Sequence, residues 1–424
     1  MRLPEEEGVR RRRFLGAAGA ATAAALLSGC RFSFEQGLFN DCRAPGGHRV
    51  FRDSLVRAAW EGIDAARYWD CHAHLFGNGR SAGGIYLNPG FDRPSTIAGR
   101  VRRAMFFNAA CGGEDEEQLD AGVVQRITHL ADEFPAGGKV MLLAFDFAYD
   151  TDGRRREDLT TFAVPDAYAA RVARSRPDRF EWIASVHPYR NDAKPALAAA
   201  HAAGARAVKW LPQAMGIDLG HPRSLAFYAE LRRLGLPLLV HVGEEQAVEG
   251  AGRHDLGNPL ALRHPLDAGV RVVAAHCASL GESPDLDADS DPAKAPRARN
   301  FDLYARLMRD ARYADLLHGD LSALTQANRA GTVPEVIAAT SWHGRLLNGS
   351  DYPLPGIMPL FSVQQYVREG MLEESALPVL KELRHVNPLV FDFVLKRSLR
   401  WKGMRLPAGV FETRRFFDPA FRGA

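Results

Sequence analysis

Residues 68–76 read Tyr68-Trp69-Asp70-Cys71-His72-Ala73-His74-Leu75-Phe76. This is a short strand-like run with ligand-capable side chains near its end. Period-two alternation puts His72 and His74 on one side of the strand, with Cys71 and Ala73 on the other side against helices. Before it, residues 51–67 show helical spacing through Leu55, Ala59, Ile63 and Ala66. After it comes a glycine-rich loop from Asn78 to Arg93, then helices expected over 94–110 and 115–134. The run Met105-Phe106-Phe107 could make a further strand, but Ile97 to Arg103 lead into it without a clear turn, so it reads as helix. A second strand follows from Val140 to Phe145.

From there helices and strands alternate. Helices at 165–176, 192–203, 222–234, 259–268, 299–309 and 323–338 lead in turn to strands at 181–187, 207–210, 238–241, 272–276, 314–318 and 345–351. Eight apolar strands separated by helices imply an α/β fold with a parallel sheet covered on its outer face. The expected architecture is a (β/α)8 TIM barrel with a long insertion after strand 1 and a C-terminal helical extension. The chain divides into a signal peptide (1–29), an N-terminal tether and helix (30–66), the barrel (67–360) and the extension (361–424). Within the barrel, 75–138 is the insertion, placed to lid the site. Residues 285–300 form a long polar loop.

Polar residues recur at the C-terminal ends of these strands: His72 and His74, Lys209, His241, His276 and Asp351. Barrel chemistry sits on that face. Neighbouring imidazoles suit a borderline-soft divalent ion. His241 would add a third nitrogen, and Asp351 a carboxylate that holds metal and accepts a proton. Singly, each has an ordinary reading: a hydrogen-bonded core histidine, an aspartate capping the turn before Pro353, a surface lysine. Together, in barrel order, they make a site.

The strings Asp70-x-His72-x-His74, Val208-Lys209, Leu239-Val240-His241, Ala275-His276-Cys277 and Asn348-Gly349-Ser350-Asp351-Tyr352-Pro353 resemble the amidohydrolase superfamily. The branch they resemble is the amidohydrolase-related metal-dependent hydrolases. Arg176-Pro177-Asp178-Arg179-Phe180 and Leu234-Gly235-Leu236-Pro237 fit that branch too. The resemblance covers roughly 68–360. It implies metal ligands at His72, His74, His241 and Asp351, with Asp351 also the general base. It makes His276 a ligand or a substrate-polarising group. Lys209 falls where two-metal members carry a carboxylated lysine, so one or two ions are implied, zinc first and manganese as the alternative. The implied activity is a hydrolase using metal-activated water on a carbonyl substrate: an ester, lactone, amide or cyclic amide. The same branch includes decarboxylases of carboxylic acids, so a lyase is the alternative. A non-catalytic envelope binding protein is the third reading. Arg253, His318 and His343 are candidate substrate-binding residues, alongside His254 and Arg263. Glu244 and Glu245 could bind an amine or support an imidazole. The basic residues Lys396, Arg397, Arg400 and Lys402 around Trp401 read as a helix facing solvent or anionic lipid.

The chain has 424 residues, with 54 basic against 51 acidic side chains and 46% hydrophobic residues. Five of the basic and three of the acidic residues fall in 1–29, which leaves a near-neutral body. That argues against a nucleic-acid partner and for a small-molecule one. Arg10 to Arg13, then Phe14-Leu15 and an apolar run to Leu27, read as a secretory leader of the twin-arginine type. The run is about 21 Å long as helix, short for a stable span. Leu27-Ser28-Gly29-Cys30 resembles a lipobox, which would make Cys30 a lipidated first residue and the only membrane anchor. The expected location is periplasmic or cell-envelope. Oligomeric state is open. Cys42, Cys71, Cys111 and Cys277 show no disulfide framework, and Cys71 and Cys277 read as buried thiols.

Overall fold

The computed structural model describes residues 33–44 and 46–421, so the leader and Cys30 lie outside the described residues. Eight parallel strands form the centre: β1 (Trp69–His74), β2 (Lys139–Leu143), β3 (Phe180–Ile183), β4 (Val208–Trp210), β5 (Leu238–His241), β6 (Val272–Ala275), β7 (Leu317–Asp320) and β8 (Leu346–Leu347). Hydrogen bonds join them into two arcs, β1–β2–β3 and β4 through β8. A bridge between Ala184 and Val208 links the arcs on one side. On the other, Cys71 N donates to Asn348 O at 3.0 Å and His74 N to Tyr352 O at 2.7 Å. The sheet therefore closes into a barrel, and every strand finds a partner on both sides.

The interior is filled by Trp69, Cys71, Met141, Leu143, Ile183, Leu239, Val273, Ala275 and Leu347. Phe416 and Phe417, from the short helix Arg414–Phe417, complete this cluster. They seal the N-terminal end of the strands, where Arg271 reaches Phe416 O at 2.8 Å. The opposite set, including Val140, Leu142, Val208, Val240 and Val272, packs under the helices.

Several expectations need correction. In β1, Asp70 pairs with Val140 but Ala73 pairs with Leu142, so three steps oppose two. The extra residue is a bulge, and it turns both Cys71 and His72 inward. Cys71 thus packs in the barrel interior, not against helices. The seventh strand runs to Asp320, two residues beyond the expected end. The helix expected at 323–338 forms only at Val333–Ala338; residues before it make turns over the barrel mouth. Met105-Phe106-Phe107 is helical, within α1 (Ile97–Ala110). With α2 (Leu119–Asp132), α1 makes up most of the insertion.

A disulfide joins Cys42 to Cys111 across 69 residues. No local pattern announces a pairing at that separation. Cys71 and Cys277 are free and buried. In the extension, α3 (Pro388–Ser398) is buried on nearly every face. Lys396 and Arg397 therefore face protein, not solvent or lipid. Lys396 Nζ donates to Gly349 O at 2.7 Å and pairs with Asp392, and Arg397 Nε donates to Ala59 O at 2.8 Å. Buried cations of this kind need such partners.

Candidate metal centre

The C-terminal ends of β1, β4, β5, β6 and β8 bring His72, His74, Lys209, His241, His276 and Asp351 around one cavity. All but His74 are buried, and His74 is partly so. Their convergence needs close backbone approach. A Cβ on Gly349 would lie 2.7 Å from His72 Cβ, so only glycine lets the turn after β8 pass β1. His276 and Asp351 both adopt left-handed backbone conformations, with φ of 56° and 62°. Such strain persists where surrounding structure over-determines it, typically at functional sites.

His72 presents two different edges. Its Nδ1 lies 2.9 Å from Asp320 Oδ2 and 2.9 Å from Ser322 Oγ. Its Nε2 faces Asp351 Oδ1 at 3.4 Å. His74 Nε2 stands 3.2 Å from the same oxygen, and His276 Nε2 is 3.8 Å from Asp351 Oδ2. His276 Nδ1 lies 2.9 Å from Ser322 O, its hydrogen-bond acceptor. Thus Asp320 and Ser322 hold both rings with Nδ1–H outward and the Nε2 lone pair inward.

Among the described residues two triads could hold a metal ion, His72–His74–Asp351 and His72–His276–Asp320, each with ligand atoms within 4.8 Å of one another. The second is tied up in hydrogen bonds: Asp320 accepts from His72 Nδ1, from His276 N at 2.9 Å, and from Ser322 N at 3.0 Å. The first is open toward the cavity. His241 Nε2 is buried, lies 3.3 Å from Glu245 Oε2, and has no well-directed hydrogen bond. Among the described residues His74 Nδ1 is likewise buried without a hydrogen-bond partner. A borderline-soft divalent ion fits this donor set.

The electrostatics agree. Burial pushes His241 and His276 down to about 3, so both rings are neutral and able to donate lone pairs at pH 7. Burial also lowers His72. For Asp351 burial acts upward, but its contacts with the His72 and His276 rings and the His74 hydrogen bond hold it well below the usual carboxylate range. Lys209 Nζ sits 3.4 Å from His72 Nε2, and burial lowers its pKa against the pull of Asp320, Asp351 and Glu245.

The family described as Amidohydrolase matches residues 69–356 of this chain. The chain belongs to that family. No curated protein matches it. Among solved structures it is similar to an uncharacterised TIM-barrel protein from Bordetella bronchiseptica, at 16% identity over 74% of this chain and 94% of that one, with a TM-score of 0.43. A probable 2-pyrone-4,6-dicarboxylic acid hydrolase from Acinetobacter baumannii is also 16% identical, over 81% and 99%, with a TM-score of 0.41. A manganese-bound 5-carboxyvanillate decarboxylase from Novosphingobium aromaticivorans is 11% identical, over 91% and 99%, with a TM-score of 0.42. This amidohydrolase carries a residue cluster able to coordinate a divalent metal ion.

Its mouth opens into a cavity of about 700 Å³, in the range of small-molecule sites. The insertion covers it: α1 supplies Ala98, Arg102, Met105 and Phe106 to the wall. Arg102 donates to Ala247 O at 2.7 Å and pairs with Glu249, which fastens α1 to the loop after β5. Glu245 lines the wall, its Oε1 accepting from Val248 N at 2.8 Å. Glu244 is exposed beside it.

The three substrate candidates stand elsewhere. Arg253 is exposed and paired with Asp255. His318 lies inside β7, its ring 4.4 Å from that of Phe416 at the sealed end of the barrel. His343 precedes β8 and hydrogen-bonds Ile337 O at 3.1 Å. His254 is exposed, and Arg263 pairs with Asp287. The residues that sequence reasoning missed are Asp320, Ser322 and Arg329. Asp320 was within reach, since it ends β7 as Asp351 follows β8. Arg329 carried no signal.

Proposed function

We propose that this amidohydrolase is a metal-dependent decarboxylase of a small aromatic or unsaturated carboxylic acid. The wall around the metal-ligand cluster carries the reading: Phe76, Phe91, Phe106, Phe145 and Phe162 line it, with Leu211 and Leu354. Aromatic faces suit a flat apolar acid. Loss of CO2 disperses a localised negative charge, so a dry apolar wall favours the delocalised transition state over the bound carboxylate.

His72, His74, His241 and Asp351 would hold one divalent ion, zinc or manganese. Such an ion supplies Lewis acidity toward a carboxylate or carbonyl oxygen. Asp320 and Ser322 keep the His72 and His276 tautomers that leave both Nε2 lone pairs inward. In the reaction the carbon–carboxylate bond breaks, CO2 departs, and the electron pair left on carbon takes a proton. The Nε2 lone pair of His276, on the cavity wall, would first take a proton from solvent and then pass it to that carbon, which returns the ring to its neutral form.

Hydrolysis of an ester, lactone or amide is the second reading. The ionised Asp351, in contact with three imidazoles, favours it as a base for water and then as a donor to the leaving group. Product labelling separates the two. Metal-replete protein in heavy water should release CO2 from an aromatic acid and leave one deuteron on the former carboxylate carbon. Ester or lactone cleavage with uptake of solvent oxygen, and no CO2 from any acid, would replace the decarboxylase by the hydrolase. Elemental analysis should find about one ion per chain, kept in Lys209→Ala and lost in His241→Ala. Two ions that fall to one in Lys209→Ala would mean a lysine-bridged pair.

The proposal extends to location. The Cys42–Cys111 disulfide suits an oxidising compartment and so supports export by the leader read at 1–29. Cys30→Ala should move the protein from the membrane to the soluble fraction. Unchanged fractionation would refute the lipid anchor.

A further inference from the structure

Arg329 stands nine residues beyond the end of β7, in the segment expected to be helix. Its side chain is only 6% exposed, yet it lines the substrate cavity together with His241, His276 and Asp351. Nη1 donates to Ser279 Oγ at 3.2 Å. Among the described residues Nε is buried with no hydrogen-bond partner. Among the described residues no carboxylate forms an ion pair with it. The other buried arginines here are satisfied by backbone carbonyls: Arg384 donates to Pro355 O and Ile357 O, and Arg397 to Ala59 O and Leu406 O. A guanidinium withdrawn from water with one neutral hydrogen bond is a costly arrangement unless an anion completes it. Its planar fork matches a carboxylate in two-point fashion.

We infer that Arg329, with Ser279, forms an anion subsite that takes a carboxylate of the substrate other than the group facing the His72–His74–Asp351 cluster. The substrate class narrows to small acids with two anionic oxygen groups, one for the cluster and one for Arg329. This rests on the reading of the cluster as the reaction centre, but not on which bond is broken there. Arg329 is a specificity residue: it grips the acid and leaves the reacting bond to the cluster.

The test is binding, not turnover. Metal-replete protein is titrated calorimetrically with benzoate and with the ortho, meta and para benzenedicarboxylates. At least one diacid should bind tenfold or more tighter than benzoate. Arg329→Gln should abolish that advantage and leave benzoate affinity unchanged, and Arg329→Lys should keep part of it. Ser279→Ala, a smaller change, should reduce it several-fold, which guards against a misfolded arginine variant. The subsite is refuted if no diacid outbinds benzoate in the parent protein, or if Arg329→Gln retains the diacid advantage. CO2 release is measured on the same preparations. A diacid advantage that depends on Arg329, without CO2 release, would sink the decarboxylase and keep the subsite. CO2 release from monoacids with no diacid advantage would do the reverse.

Discussion

Replacing Asp320 by Asn tests whether the metal centre is built from its supporting hydrogen bonds. Asp320 is fully buried. Its Oδ1 accepts from His276 N and Ser322 N, and its Oδ2 accepts from His72 Nδ1. Asparagine has one oxygen for these two tasks. Kept on the backbone amides, that oxygen leaves an NH2 group facing His72 Nδ1, donor against donor. His72 must then move its proton to Nε2, the atom that faces Asp351 and the cavity, where a ligand lone pair is needed. Loss of such outer support typically costs about 10–100-fold in metal affinity, or about 1.4–2.7 kcal/mol. Competition against a chromophoric chelator reads this directly. Circular dichroism and thermal unfolding confirm that the barrel remains. Metal affinity within about twofold of the parent, in a folded Asp320→Asn protein, would refute the claim that Asp320 sets the His72 tautomer.

Cys42→Ser removes a cross-link spanning 69 residues and should destabilise by about 2–4 kcal/mol. A reductant should lower the parent's melting temperature and leave the variant's unchanged. Phe416→Ala opens the sealed end of the barrel and should cost about 3–5 kcal/mol in denaturant unfolding without changing metal content. Burial raises Asp166 to about 7, so its neutral form is the one the fold prefers. Its contribution is full below the unfolded value near 4 and is lost as pH rises through 7. Asp166→Asn should therefore gain stability relative to the parent between pH 5 and 8, and a pH-independent difference would contradict the shift.

Much of the barrel was legible in order and number of strands, because a strand covered by helices must be apolar along its own length, and that pattern lies between sequence neighbours. The same locality exposed His72, His74, Lys209, His241, His276 and Asp351, each of which ends or directly follows a strand. It failed where the pattern was weak. Leu317-His318-Gly319-Asp320 mixes apolar and polar residues, so the strand end was set two residues early. That shift made His318 a candidate and hid Asp320. The bulge at Asp70–Ala73 also escaped, since it is defined by what β2 does opposite.

The remaining features depend on distant parts of the chain meeting. Lys396 and Arg397 look like surface cations until α3 is packed, when Asp392 and the carbonyls of Gly349 and Ala59 receive them. Cys42 finds Cys111 only once the N-terminal segment crosses the end of α1. Arg329 is buried only because the turns after β7 fold back over the mouth. Periodicity along the chain records which side of an element avoids water. Whether a charge is paired, or left bare to meet a ligand, depends on groups brought near it by folding, and that was decided by the tertiary structure.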